Sequence, residues 1–288
     1  MSYVALMRFL HQGFYMLLSL DAKNASRLQK EREYKMGLLS NLCVLITRPA
    51  HQAQSLVKAI QSLGGKTVLY PTLEIVPIQD LTLIKSIIAE LDQYTWIIFT
   101  SANAVWQSVP LIKQEWPTLP ATLKIAAIGE VTAHCLFESE FPVHAYPKNE
   151  GSSERLLDLP ELQNVKDEKI LIVAGEGGRE LLEITLQNRG AQLKKVAVYR
   201  RIRPEPILTY EQLEEAHIDI VISTSEESLV NLCEMIKNKS LFEWPLLIMS
   251  ERIKFKAQQL GFQNILIAEK TSDQGLIDTL CAWNQIRK

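Results

Sequence analysis

The sequence predicts an α/β protein built from two similar domains, each a parallel sheet with helices on both faces. Three observations support this prediction. Short apolar runs alternate with amphipathic helical segments, two kinds of strand–helix–strand unit each occur twice, and the copies are about 125 residues apart. Strands that alternate with helices form parallel sheets, and a repeat of this length indicates a duplicated domain rather than a solenoid.

The first kind of unit starts at residue 42. Residues 42–47 form a short apolar run typical of a buried parallel strand. Pro49 then opens a helix, which Gly64 and Gly65 close. The second copy contains, in order, a strand at 169–173, a turn at 175–178, a helix from 181 to about 190 and a strand at 196–199.

The second kind of unit has two strands, each followed by a helix. In the first copy the strands are predicted at 95–99 and 124–128, and in the second copy at 219–222 and 246–248. After each copy of the first kind comes a Pro-marked extended segment, 73–78 or 200–206, and these are the predicted interdomain links. The links alone allow either sequential domains or an exchange in which 38–76 joins 206–288 and 77–205 forms the other domain.

The bulk composition limits the classes of function. The 288 residues have room for two domains, and 47% apolar with 22% charged residues is typical of a globular protein. A formal net charge of -2 provides no general attraction for nucleic acid or an anionic membrane, so local groups must bind any anionic ligand.

Residues 1–37 are predicted to be a mobile or loosely helical extension. The apolar stretch at 4–20 is too short and too polar for a membrane span, and no cleavage site for a signal peptide follows it. Met36 could be the true translation start.

Hydroxyl groups and glycines recur where the strands end. In parallel α/β sheets, ligands bind beyond the carboxyl ends of strands, close to the free N–H groups of helix N-termini. The candidate substrate-binding residues at these positions are Thr47, Arg48, Thr100, Ser101, Asn103, Gly129, Thr132, Gly175, Arg179, Ser223, Thr224, Ser225 and Ser250. Helix capping alone is the competing interpretation, but recurrence in both copies favours a cleft of neutral donors for a large polyanion.

Other kinds of site lack their motifs. There is no GxGxxG, GxxxxGK[ST] or GxSxG, which argues against nucleotide cofactors and serine hydrolysis. The four cysteines are far apart, and Cys43, Cys135 and Cys281 are predicted to be buried, reduced thiols. We therefore expect no metal, no cofactor and a reducing cytoplasm. The basic runs 194–195 and 200–203 are interpreted mainly as solvated surface, and Arg179 as either a surface ion pair or a carboxylate clamp.

Tyr199 ends a strand just before the second link. A tyrosine here could face a cleft, or could be an ordinary boundary residue with a packed ring and a hydrated hydroxyl. Tyr70 occupies the corresponding place in the other copy, so the repeat alone does not choose between the two interpretations.

Several segments resemble the uroporphyrinogen-III synthase family, in an order and spacing that are specific together. They are LITRP at 45–49, PTLEI at 71–75, FTSANAV at 99–105, IGEVTA at 128–133, GSSERLL at 151–157, GEGGRELL at 175–182 and VYRR at 198–201. The resemblance covers about 42–285 and favours the exchanged domains, joined by a two-stranded extended linker.

The resemblance implies a cofactor-free, cyclising hydro-lyase of heme biosynthesis with its active site in the cleft. Its substrate would be the linear tetrapyrrole hydroxymethylbilane, closed to uroporphyrinogen III with inversion of ring D and loss of water. Tyr199 matches the family's tyrosine and would act as general acid or orient water. We expect a cytoplasmic monomer, without nucleic-acid partners or stable membrane insertion, that could contact neighbouring pathway enzymes transiently.

Two other classes of function are alternatives. A non-enzymatic two-lobed protein that binds a small polyanion would share the duplicated architecture. A nucleotide-dependent transferase would need the nucleotide motifs that are missing.

Overall fold

A computed structural model describes residues 37–148, 151–178 and 180–287. The predicted extension lies outside the described residues except for its last residue, and Arg179 also lies outside them. The chain separates into two compact units. The first unit consists of two segments of the chain, one that ends at Leu73 and one that begins at Arg203. The second unit is the continuous segment Glu74–Ile202. The observed boundaries, after residues 73 and 202, lie a few residues before the predicted boundaries, after residues 76 and 205. The reason is that parts of the predicted links form strands in the sheet of the second unit.

The elements up to the second boundary are, in chain order, β1 (Cys43–Ile46), α1 (Ala50–Ser62), β2 (Lys66–Leu69), β3 (Glu74–Pro77), α2 (Thr82–Ala89), β4 (Trp96–Phe99), α3 (Ala102–Glu115), β5 (Lys124–Ala127), α4 (Glu130–Glu138), α5 (Ser153–Leu157), β6 (Lys169–Gly175), α6 (Leu181–Asn188) and β7 (Gln192–Ile202). The remaining elements are α7 (Tyr210–Glu215), β8 (Ile220–Ile222), α8 (Glu226–Ile236), β9 (Leu246–Ile248), α9 (Glu251–Leu260), β10 (Ile265–Ile267) and α10 (Asp273–Ile286). Short 3₁₀ turns at Leu91–Gln93, Pro160–Leu162 and Lys239–Glu243 connect some of them.

Each unit contains one five-stranded sheet. The strand order is β10-β9-β8-β1-β2 in the first unit and β3-β7-β6-β4-β5 in the second. The outermost strands β10 and β3 aside, the two sheets have the same strand order. In each sheet the first kind of unit (β1 and β2, or β6 and β7) lies beside the second kind (β8 and β9, or β4 and β5), and the first strands of the two units are neighbours. The duplicated α/β fold class is therefore confirmed.

One strand departs from the all-parallel prediction. β3 pairs antiparallel with β7, with Glu74 opposite Ile202 and Pro77 opposite Tyr199. The chain enters the second unit along β3 and leaves it along β7. These two strands are neighbours in the sheet, so they run in opposite directions. The two-stranded extended linker is thus an antiparallel pair at the edge of a parallel sheet.

Strands β1, β4, β8 and β9 are fully buried, as their continuous apolar runs predict, whereas the edge strands β2, β3 and β10 contain only partly buried and exposed residues. In β4, Ile97 and Phe99 pack in one core cluster, and Trp96 and Ile98 pack in the cluster on the other face. Burying a large apolar side chain completely contributes about 1.5–3 kcal/mol.

The cysteines are free thiols, and one of them differs from the prediction. Cys43 and Cys135 are buried, but Cys281 is only partly buried, because it lies on α10 at the margin of the core. Burial raises the pKa of each of these thiols. Within the described ranges, no helix has the length and apolarity needed to cross a membrane, and no group of three or more His, Cys, Asp or Glu side chains could hold a metal ion.

Candidate active site

Each sheet has one point at which the chain connections diverge. In the second unit β4 leads outward to β5, and its neighbour β6 leads the opposite way to β7. The loops after β4 and β6 therefore separate and leave a crevice at the carboxyl ends of the strands, where ligands bind in open α/β sheets. The corresponding point of the first unit lies between β8 and β1.

The crevice of the second unit contains a pocket of about 230 Å³. Four of the predicted site residues line it: Thr100, Ser101, Gly175 and Tyr199. The other lining residues are Ile128, Ser153, Ile172, Ala174, Gly177, Gly178, Leu182, Glu183, Lys195 and Arg201. The pocket thus combines hydroxyl groups, glycine backbone and charged side chains over an apolar floor.

Tyr199 lies in the pocket wall, with its ring against the backbone of Gly175. A register shift in the β6–β7 pairing between Ala174 and Gly175 brings Gly175 opposite Tyr199. A Cβ atom on Gly175 would lie 2.6 Å from Cε2 and Cζ of the ring and 2.9 Å from its hydroxyl oxygen. Only glycine leaves room for the ring there, and Tyr199 is 5% exposed as a result. The Glu176 N–H donates to the Tyr199 carbonyl at 2.8 Å and fixes the loop beside it.

Ser101 brings the start of α3 to the tyrosine hydroxyl. Its Oγ caps the helix by accepting from the Ala104 N–H at 3.1 Å, and it lies 3.1 Å from Tyr199 Oη. The neighbouring Thr100 Oγ1 donates to the Val173 carbonyl at 3.2 Å, which ties the loop after β4 to β6. Asn103, in the first turn of α3, is partly buried.

Two basic residues of β7, Lys195 and Arg201, also line the pocket; Arg201 is exposed, as predicted for a solvated run, whereas Lys195 is mostly buried and the same interpretation is wrong for it. The Lys195 Nζ lies 2.6 Å from Glu183 Oε1 and donates to the Gly177 carbonyl at 3.4 Å. Both side chains of the ion pair are about three-quarters buried, with 28% and 25% exposed. The missed signal was strand alternation, which separates the partly buried Lys195 of β7 from its exposed neighbour Lys194.

Gly129 and Thr132 lie at the start of α4, next to the pocket-lining Ile128. A Cβ on Gly129 would be 2.6 Å from the Cα of Gly151, so glycine lets the two loop backbones touch. Thr132 is buried, so its hydroxyl does not reach the surface at this edge.

In the first unit, Arg48 lies just after the end of β1, at the point between β8 and β1 where the chain connections diverge. Its Nη1 lies 2.5 Å from Asp273 Oδ1, and its Nε donates to Thr224 Oγ1 at 3.2 Å. Its side chain is 12% exposed. Thr47 and Ser223 are fully buried, and the Thr47 hydroxyl donates to the Ile222 carbonyl at 3.0 Å. These contacts join β1 to β8 within the protein.

Two other candidate residues of this unit have hydroxyl groups that cap helices. Ser225 caps α8 and Ser250 caps α9, each accepting from the N–H three residues later. The Glu226 carboxylate, at the start of α8, lies 3.1 Å from Arg252 Nε, which offsets its charge.

The two repeat-related tyrosines have different surroundings. Tyr70 is fully buried in the core of the first unit, and its hydroxyl has no hydrogen-bond partner among the described residues. Burial raises its pKa. Of these two residues, Tyr199 lines the pocket and Tyr70 lies in a core cluster.

Comparison with known proteins agrees with the geometry. A sequence model of the family described as uroporphyrinogen-III synthase HemD matches residues 54–278. The chain is 32% identical over 252 residues to the uroporphyrinogen-III synthase of Escherichia coli and 31% identical over 250 residues to that of Salmonella typhimurium; each alignment covers 83% of this chain and all of the relative.

Solved structures show the same fold. A mutant uroporphyrinogen III synthase from the extremely thermophilic bacterium Thermus thermophilus matches with a TM-score of 0.59 at 19% identity, over 86% of this chain and 100% of its own. The Helicobacter pylori enzyme matches with a TM-score of 0.55 at 16% identity, over 84% and 99% of the two chains.

Proposed function

The chain belongs to the uroporphyrinogen-III synthase family, and we propose that the pocket beside Tyr199 is where its reaction occurs. The reaction is that of a cyclising hydro-lyase of heme biosynthesis: hydroxymethylbilane closes to uroporphyrinogen III with inversion of ring D and loss of water. The binding-protein alternative is not favoured, because the relatives that match over their whole length are synthases.

The first chemical step needs a proton. The terminal hydroxyl of the bilane leaves as water and gives an azafulvene, and attack through a spiro intermediate then inverts ring D. We assign the proton to the Tyr199 phenol, because a phenolic O–H is a hydrogen-bond donor and because this one lines a pocket, with its ring held against Gly175. A well-placed general acid contributes about a hundredfold or more to a rate.

The eight substrate carboxylates need donors rather than a general positive field. We propose that the residues that bind them in the second unit are Thr100, Ser101, Asn103, Gly129 and Gly175, largely through backbone N–H groups at the strand ends and helix starts. Lys195 and Arg201 add charged donors there.

In the first unit we propose Thr224, Ser225 and Ser250 as residues that bind substrate carboxylates. Thr47, Thr132 and Ser223 are left out because their side chains are buried, and Arg48 because its side chain is only 12% exposed and bonds to both Asp273 and Thr224.

Product analysis tests the proposed function. Enzymatically generated hydroxymethylbilane closes unaided to the type I isomer, so the purified protein should shift the product to type III. An unchanged isomer ratio would reject the activity.

A pair of substitutions tests the site. Tyr199→Phe should slow type III formation about a hundredfold, whereas Tyr70→Phe, the same change at the repeat-related position, should leave the rate unchanged. Equal rates for Tyr199→Phe and the wild type would remove Tyr199 from the mechanism but leave the activity intact.

We further propose that the enzyme works as a cytoplasmic monomer and contacts neighbouring enzymes of its pathway transiently. The free thiols of the described residues suit a reducing compartment. Sedimentation across a range of concentrations would show a second species if the protein self-associates.

A further inference from the structure

The hydrogen-bonding capacity of Ser101 is limited. A serine hydroxyl has one hydrogen and two lone pairs. One lone pair accepts from the Ala104 N–H at 3.1 Å. This leaves one hydrogen and one lone pair for Tyr199 Oη, which is also 3.1 Å away. Distance alone therefore allows either hydroxyl to be the donor.

The position of Ala104 in the helix favours one direction. Its N–H belongs to the first turn of α3, where backbone N–H groups have no partner inside the helix and carry the positive end of the helix dipole. An oxygen that accepts from such a group becomes a stronger donor and a weaker second acceptor, because hydrogen bonds in a chain polarise one another. The Ser101 hydroxyl is thus the better donor of the pair.

We propose that Ser101 is a positioning residue that donates its hydrogen bond to Tyr199 Oη and so directs the tyrosine's own proton into the pocket. The chain of donors runs from Ala104 N–H through Ser101 to Tyr199. When the phenol gives up its proton to the leaving hydroxyl, the oxygen becomes negative, and the Ser101 hydrogen bond strengthens. The start of α3 then stabilises the phenolate through the Ser101 hydroxyl.

The packing around the ring supports this role. The ring lies against the backbone of Gly175, which holds it in the pocket wall. When Ser101 donates to Oη, the phenol's own hydrogen is left for a group in the pocket that Tyr199 lines. The inference rests on the proposed role of Tyr199, and its test must separate the two.

Three substitutions at Ser101 separate helix capping from positioning. Ser101→Gly removes the hydroxyl but keeps most of the capping, since glycine is tolerated at that position. Ser101→Ala removes both, and Ser101→Thr keeps both. We expect the glycine and alanine variants to lower kcat for type III formation about threefold to tenfold, the value of one ordinary hydrogen bond, with KM within about twofold of wild type. The threonine variant should restore most of kcat.

Ser272 supplies the matched control. It caps α10 by accepting from the Gly275 N–H at 3.1 Å, the same distance as at Ser101, and it does not line the pocket. Ser272→Gly should leave kcat unchanged. A loss of kcat in this variant equal to that of Ser101→Gly would mean that loosening any cap slows the enzyme, which would overturn the inference.

The decisive measurement combines Ser101→Gly with Tyr199→Phe. If Ser101 acts through the phenol, the double variant should be no slower than Tyr199→Phe alone. A full additional loss in the double variant, a change confined to KM, or a wild-type kcat for Ser101→Gly would each overturn the positioning role. Tyr199→Phe alone reports on the proposed function: a wild-type rate there rejects the role of Tyr199 and with it that of Ser101, whereas a slow rate with an unaffected Ser101→Gly rejects Ser101 only.

Discussion

Gly175→Ala should disable the site by moving one ring. The added Cβ would be 2.6 Å from two ring carbons of Tyr199, whereas ordinary contact begins at 3.4 Å, so the ring or the strand must shift by about 0.8 Å, the difference of the two. Such a shift changes the geometry of the 3.1 Å contact between the hydroxyl and Ser101. Misplacing a reacting group by about 1 Å can cost on the order of a hundredfold in rate, so we expect kcat for type III formation to fall about 30- to 100-fold. Overpacking should also cost about 1–3 kcal/mol of stability.

Gly65→Ala is the matched control for this prediction. A Cβ on Gly65 would meet Ile60 Cγ2 at 2.7 Å, so the steric overlap is similar, but it falls in the core of the first unit. Both variants should unfold at lower urea concentration, and only Gly175→Ala should lose kcat in the isomer assay. A folded Gly175→Ala protein with a wild-type kcat would refute the argument that this glycine positions the ring. Equal losses of kcat in both variants would refute it too.

Three further predictions concern other parts of the molecule. Lys195→Met should raise KM about tenfold, because a charge-assisted bond to a substrate carboxylate is worth about 1.5–3 kcal/mol. Glu183→Gln should lower KM. Steady-state kinetics that show no change in KM for either variant would contradict the role of the pair. Tyr70→Phe should leave the free energy of unfolding unchanged or raise it by up to about 1 kcal/mol, because it removes an unpaired buried hydroxyl; a clear loss in urea titrations would reveal a hidden partner. Burial raises the pKa of Cys233 from 9.0 to about 11. The folded protein therefore binds this proton more tightly than the unfolded chain does. The thiol contributes stability below pH 9, and this stability is lost as the pH rises towards 11. Its alkylation at about pH 8, below the ordinary thiol pKa, should be far slower in the folded protein than in urea, and equal rates would show that the thiol is accessible.

The apolar pattern was sufficient to predict the fold class, whereas the exchange of segments between the two domains was favoured by the family resemblance alone. Continuous runs such as WIIF in β4 and LLI in β9 predict strands buried on both faces, and the repeat predicts how the two sheets correspond. The antiparallel β3 was not predictable in this way, because four residues beside a proline carry no signal for the direction of their partner. Pairing direction depends on where the chain returns, which is a property of the whole topology.

The site was predicted only in part. The hydroxyl-rich strand ends identify Thr100 and Ser101, but the same pattern also selects Thr47 and Ser223, which are buried. Short polar residues at a strand end look alike in sequence, whether they face a crevice or join two strands. Lys195 was missed because it lies in a basic run, and only the periodicity of β7 distinguishes it from its exposed neighbour Lys194.

The order of strands in the first unit has a consequence for how the protein is made. β1 pairs with β8, with Val44 opposite Ile220, and the whole second unit lies between them in the chain. During synthesis the second unit can complete its sheet as soon as residue 202 has emerged, whereas β1 and β2 form at that stage only a two-stranded pair, which is marginal in water. The other edge of β1 stays without its partner strand until β8 has been made. A nascent chain that ends near residue 202 would therefore carry one finished unit and one exposed half, and the exposed half is where a chaperone would be needed.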